Sequence, residues 1–210
     1  MDETGISTVP NTTPKVITPK VKKTVGKISS AERGQTVTPV CCMSATGVFV
    51  PPASILPRKR MNPLLYKDAP NGTLPLISDI GYMNSHLYID WLKHFVKHAK
   101  LSTEDPVLLI ADNHISCCSL PAVLLRESYN VSYSSNTAHV LQPLDKCFFV
   151  PLKALYSSEA EKWLVENPGK VIALYEIQGF FKKLIVPQPG FNSKKKFSEL
   201  QVLSHTTLTL

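Results

Sequence analysis

The sequence predicts an α/β fold, a mixed β-sheet with helices packed on it. Three observations lead there. Val107–Ala111 is an unbroken apolar run that stops at Asp112, the pattern of a short strand buried on both faces. Residues 36–45 and 48–50 are β-branched and apolar and flank Thr46-Gly47, which reads as a hairpin. Residues 84–100 and 145–166 repeat apolar side chains every three or four positions, the mark of helices with one buried face.

The chain has 210 residues, enough for one domain with a sizeable core. A net charge of +7 and a pI near 9.1 lean weakly towards a polyanionic partner. The five cysteines are odd in number, contain two adjacent pairs and form no C-x-x-C. Neither a disulfide framework nor a zinc site follows, and reduced thiols in the cytosol or nucleus fit better. The opening Met1-Asp2-Glu3 is not a signal peptide, and no apolar run is long enough to span a membrane.

In chain order, residues 10–30 are rich in Thr, Pro and Lys without a period, and are expected to be a basic loop. Pro39 lacks a ladder donor, so the first hairpin strand should lie at an edge or carry a bulge there. Pro51, Pro52 and Pro57 are expected to interrupt the return strand. Residues 58–72 read as a basic loop and residues 74–78 as a short strand. Asn84 is placed to cap the helix that follows. His94 and His98 are four apart on that helix, the spacing of a two-histidine metal pair. With no third ligand beside them, they read as surface histidines.

After the central strand, Ser116 or Ser119 is placed to cap a helix reaching about residue 128, with Leu120, Val123, Leu124 and Tyr129 inward. Residues 131–134 make a further strand, which gives strand–helix–strand. A long helix starts near Asp145 and reaches about Glu166, with Pro151 as a kink or early-turn residue. Asn167-Pro168-Gly169 ends it, and one more helix covers about residues 172–184.

Three carboxylates stand where chemistry could gather. Asp112 follows the central strand, at the sheet edge where ligands bind in open α/β folds. Asp145 opens a helix, where an acid is also favoured by the helix dipole alone. Asp2 stands at the start of the chain, where a solvated terminal residue is the simpler reading. If the three converge, hard oxygen ligands suit Mg²⁺ or Mn²⁺. Two such ions roughly 4 Å apart serve phosphodiester transfer. Arg58, Lys59 and Arg60 would then hold a nucleic-acid backbone.

These stretches resemble the DDE-type endonuclease domain of pogo/Tigger-like transposases and their domesticated relatives, the jerky and centromere-binding protein B group. The resemblance rests on Asp2-Glu3-Thr4-Gly5, residues 33–45, Pro57-Arg58-Lys59-Arg60-Met61-Asn62, and Ser78-Asp79 with Gly81. It continues through Trp91-Leu92, Leu108-Leu109-Ile110-Ala111-Asp112-Asn113-His114 and Leu141-Gln142-Pro143-Leu144-Asp145. It implies a ribonuclease-H-like fold over residues 1–185. It also implies a metal-binding triad of Asp2, Asp112 and Asp145 served by Mg²⁺ or Mn²⁺, DNA as partner, a nuclear location and a possible homo-oligomer. His139 resembles the histidine that precedes the third Asp, where it supports that loop; a plain loop histidine is the alternative.

Several features depart from the family pattern. Neither the family's helix-turn-helix region nor a strand is expected before Asp2. Ile115-Ser116-Cys117 replaces Ser-Ser-His, and residues 186–210 diverge into an expected disordered tail. The expectation is therefore a truncated, degenerate nuclease domain. The alternative is a domesticated, non-catalytic nuclear protein that binds DNA or protein.

Overall fold

A computed structural model of the chain describes residues 1–9, 34–99, 101, 106–111, 115–135 and 144–185. The expected basic loop at 10–30, Asp112, His139 and residues 186–210 lie outside the described residues.

Strands β1 (Asp2–Glu3) and β2 (Ile6–Ser7) both pair antiparallel with β3 (Thr36–Met43). On its other side β3 pairs antiparallel with β4 (Phe49–Pro57), the expected hairpin, and β4 pairs parallel with β5 (Leu74–Ser78). Strands β6 (Val107–Ala111) and β7 (Val131–Ser135) form a parallel pair, in register from Val107 opposite Val131 to Ala111 opposite Ser135. Among the described residues the Met1 ammonium links the two sheets by donating to the Ile110 carbonyl oxygen at 2.7 Å.

The prolines sit where the ladders spare them. Pro39 lies inside a central strand, not at an edge, and the neighbouring strand breaks beside it. Strand β1 pairs at Val40 and Cys41, β2 at Thr36 and Val37, and the Pro39 carbonyl accepts from the Thr4 N–H between them at 3.2 Å. A residue's N–H and C=O point to the same side of a strand, so the missing donor faces this interruption. The return strand is also continuous, contrary to expectation. Its register against β3 shifts between Val40 and Cys42, and that bulge takes up Pro51 and Pro52. Pairing with β5 begins only at Ala53.

Among the described residues four α-helices cover the sheets. Helix α1 (Ser85–Ala99) starts where Asn84 Oδ1 accepts the N–H groups of His86 and Leu87, both at 3.0 Å. It lies on one face with Val40, Cys42, Ala53 and Ile55, and its buried stripe is Tyr88, Trp91, Leu92 and Phe95. Helices α3 (Val150–Glu166) and α4 (Leu174–Ile185) lie on the other face with Val37, Cys41 and Leu56. Alternate residues of β3 and β4 thus feed two separate cores. Buried Gln178 donates from Nε2 to Ser54 Oγ at 2.6 Å and fixes α4 to β4.

Two burial expectations fail. Strand β6 is covered on one face only: Leu109 and Ala111 are buried, while Leu108 is 60% and Ile110 47% exposed. Helix α2 (Leu120–Ser128) turns Ala122 and Arg126 inward and leaves Leu120, Leu124 and the following Tyr129 exposed. Ser119 occupies its N-cap position without a side-chain cap bond, after a 3-10 turn at Ile115–Cys118. The Arg126 guanidinium lies 4.1 Å over the Tyr133 ring, a cation–π contact that lets a cation face inward.

His94 and His98 of α1 are hydrogen-bonded to carbonyls. His94 Nε2 lies 2.8 Å from the Pro51 oxygen, and His98 Nδ1 lies 2.8 Å from the His94 oxygen. Burial lowers the His94 pKa below its ordinary 6.5, against the opposing effect of the bond to Pro51. The folded state therefore binds fewer protons than the unfolded one at this site. His94 contributes fully above the unfolded value, and that contribution is lost as pH falls through the lowered folded value. We expect the urea midpoint to drop between about pH 8 and about pH 5, and His94→Gln to reduce the drop. An unchanged drop in the variant would remove His94 as its source.

Candidate active site

Of the expected triad, Asp2 and Asp145 are described and Asp112 is not. The strand expected to be missing at the N-terminus is present, as β1. Asp2 stands opposite Cys41 and is only 7% exposed. Its Oδ1 accepts the Glu3 N–H at 2.8 Å. The segment after it is held from both sides: Ile6 and Ser7 pair with β3, and the Tyr156 hydroxyl of α3 donates to the Ser7 oxygen at 2.9 Å. Asp2 is thus not a loose terminal residue. A two-residue strand suffices because β3 already offers its edge and α3 closes over the continuation.

The bond from Met1 to Ile110 brings the end of β6 to the start of β1. Asp2 follows one partner of that bond directly, and Ala111, the last described residue of β6, follows the other. Asp145 opens a π turn at Asp145–Phe149 that runs into α3. The wider turn has a local cause. Leu144, Phe148, Phe149 and Leu152 are all buried in one core, and a regular α-turn would rotate one of the adjacent phenylalanines away. Pro151 falls in the first turn of α3, where its missing N–H costs little. Asp145 itself is half-buried. Among the described residues no three His, Cys, Asp or Glu side chains group as a metal site.

Two buried thiols accompany Asp2. Burial first, then Cys42 and Asp2, push the Cys41 thiol up to about 12. Burial likewise raises Cys42. Both stay protonated at neutral pH and offer no soft thiolate beside the carboxylate.

Arg58, Lys59 and Arg60 are exposed and follow β4 directly. The Arg58 N–H donates to Leu56 at 2.9 Å and to Ser78 at 3.0 Å, which fixes where the basic loop leaves the sheet. The only ion pairs among the described residues join Glu159 to Lys162 and Lys183, so none involves these three cations. From the level of Asp2 to that of Arg58 is six residues along the strands, about 20 Å.

The sequence reading passes over Ile80 and Tyr82, which stand exposed on the turn beside this loop. The available signal is Gly81, singled out for its family resemblance and not for the side chains it separates. Buried Arg126 is passed over too, and the sequence carries no signal for it.

A family model described as "DDE superfamily endonuclease" matches residues 34–194. Asp112, Asp145, His139, Arg58, Lys59 and Arg60 fall inside that span, and Asp2 precedes it. A curated relative from Cochliobolus lunatus, "MFS-type transporter clz9", is 28% identical over 184 residues, covering 85% of this chain and 20% of that protein. The chain thus spans about a fifth of that relative. None of the described helices is long and apolar enough to cross a membrane. Among solved structures, the "Mos1 transposase paired-end complex with left transposon end" shares the fold with a TM-score of 0.50 and 14% identity, over 97% of this chain and 53% of that one. A "pre-cleavage Mos1 transpososome" matches with a TM-score of 0.50 and 14% identity, over 97% and 54% of the two chains. The mixed, ribonuclease-H-like α/β arrangement expected from the sequence is the fold found.

Proposed function

Because the chain belongs to the DDE superfamily of endonucleases, we propose that it is a transposase-derived domain of the pogo/Tigger/jerky group that acts on DNA in the nucleus. The ancestral reaction in this proposal is metal-dependent phosphodiester cleavage and strand transfer, with Asp2, Asp112 and Asp145 as ligands and catalytic residues. The observation that supports it most is the burial of Asp2 on a strand bonded to β6 just before that strand ends. The Mos1 transposase that shares the fold is in complex with a transposon end, which supports DNA as partner.

The donor chemistry fits the ion. Carboxylate oxygens are hard ligands suited to Mg²⁺ or Mn²⁺, and the neighbouring thiols stay protonated. Held by Asp2, Asp112 and Asp145, a pair of such ions would supply activation of a hydroxyl and charge stabilisation of a leaving oxygen. The chain's own residues do the rest. Strand β1 holds Asp2 in place and the π turn begins at Asp145, while the role of His139 as a support of that site rests on the family resemblance. Arg58, Lys59 and Arg60 take phosphates about 20 Å along the sheet, roughly six base-pair steps from Asp2. Assembly as a homo-oligomer belongs to the same proposal.

Departures such as Ile115-Ser116-Cys117 suggest weak nuclease activity here. The exposed basic loop favours a second reading that needs no metal, a domesticated nuclear protein that only binds DNA. Calorimetric titration of Mn²⁺ into this chain and into an Asp112→Ala, Asp145→Ala double variant separates the two. Saturable binding lost in the variant supports the nuclease reading. Equal, negligible binding in both removes it and leaves the binding protein.

A further inference from the structure

The turn between β5 and α1 presents two large apolar side chains to solvent, Ile80 at 70% and Tyr82 at 51% exposure. They flank Gly81, and the turn that holds them is firmly fixed. The Gly81 N–H and the Arg58 N–H both donate to the Ser78 oxygen, at 3.3 and 3.0 Å. Ser78 Oγ donates to the Tyr82 oxygen at 3.0 Å. Gly81 has φ +76°, and a Cβ there would stand 2.7 Å from the Thr36 carbonyl oxygen and 3.2 Å from Pro57 Cβ. The turn is therefore pressed onto the ends of β3 and β4 in a conformation that only glycine adopts freely. On its far side Met83 is buried and Asn84 caps α1. Tyr82 is thus held outward by a preorganised backbone, which spares a partner much of the ordering cost of binding.

Its neighbourhood is cationic. Arg58 shares the Ser78 oxygen with this turn, and Lys59 and Arg60 follow it. Asp79 is the acid within the turn, so the two segments together contain three exposed cations and one exposed carboxylate. An aromatic face beside cations is the chemistry that holds unpaired nucleotides, with the base on the ring and the phosphates on the cations. In a duplex the bases stack on one another and leave such a ring without a use.

We propose that Tyr82 is a stacking platform for an unpaired base of a DNA strand whose phosphates lie on Arg58, Lys59 and Arg60. This rests on the DNA-binding reading above and adds that the strand at this edge is single.

Fluorescence anisotropy with labelled oligo-dT of about 12 nucleotides, and with a duplex of equal length, tests it on the full chain. Tyr82→Ala should weaken oligo-dT binding about 5- to 150-fold and leave duplex binding unchanged, while Tyr82→Phe, which keeps the ring, should stay within about 2-fold of the parent. Unchanged oligo-dT binding in Tyr82→Ala overturns the platform, and so does equal weakening on both probes; in either case the DNA-binding reading stands. Failure of the parent chain to bind either probe overturns both.

Discussion

Trp91→Ala is expected to destabilise the chain by about 3–5 kcal/mol, a large part of the roughly 5–15 kcal/mol that holds an ordinary domain together. Trp91 is fully buried in the middle of α1. Its ring stacks between Tyr88, 5.8 Å away, and Phe95, 5.6 Å away. The core it belongs to contains Val40, Ala53 and Ile55 from the larger sheet, and Leu109 and Val131 from the β6–β7 pair. The Met1–Ile110 bond joins those sheets through the backbone, and the core that contains the aromatic row of α1 joins them through side chains. A cavity at Trp91 removes a large apolar surface and loosens the placement of β6 relative to β1. Urea unfolding should show a much lower midpoint, whereas Val165→Ala, at an exposed position of α3, should shift it little. A loss below about 1 kcal/mol for Trp91→Ala would mean that other contacts join the sheets.

How far such elements can be read from sequence depends on what their side chains touch. Helix α1 is legible because four buried residues fall on one stripe and Asn84 caps it by its own side chain. The hairpin is legible from its two β-branched segments. The prolines mislead, since a ladder is broken only where the donor is needed. Pro39 faces a gap between β1 and β2, and the bulge takes up Pro51 and Pro52. Strand β6 misleads for another reason. An unbroken apolar run states that a strand is apolar, not that both faces are covered, and Leu108 and Ile110 face outward. On α2 the inward face contains an arginine that stacks over Tyr133, a contact made from another strand and invisible in the helix's own pattern.

The same distinction holds for the candidate site. The chain order of Asp112 and Asp145 is readable as motif, because strand end and helix start are local features. The environment of Asp2 is not. Its segment is held by β3, by α3 through the Tyr156–Ser7 bond and by the contact of Met1 with Ile110, pairs between 39 and 149 residues apart along the chain. Two residues of sequence cannot announce a strand whose partners all come later. Tyr82 escapes a sequence reading because exposure on a fixed turn is a property of the fold, set by the close approach of Gly81 to Thr36 and Pro57.

Asp2→Asn is expected to abolish metal-dependent cleavage while leaving the fold intact. A buried carboxylate is expensive for folding alone, since its charge must be taken out of water. Asparagine keeps the volume and keeps an oxygen to accept the Glu3 N–H, now made at 2.8 Å by Asp2 Oδ1, while removing the charge. If Asp2 serves chemistry, the variant should match or exceed the parent in urea midpoint. Its Mn²⁺-stimulated nicking of supercoiled plasmid should then fall by at least about 100-fold, the upper range seen when only an outer partner of a metal ligand is lost. If Asp2 serves the fold, the two readouts move the other way, with a lower midpoint and any nicking reduced only in proportion to the folded fraction. Cys41 gives an internal check, because Asp2 helps to hold its thiol protonated. Removing the charge should lower the Cys41 pKa of the folded chain in either case. A variant that nicks plasmid as the parent does would take Asp2 out of the metal site and leave its burial a matter of folding alone.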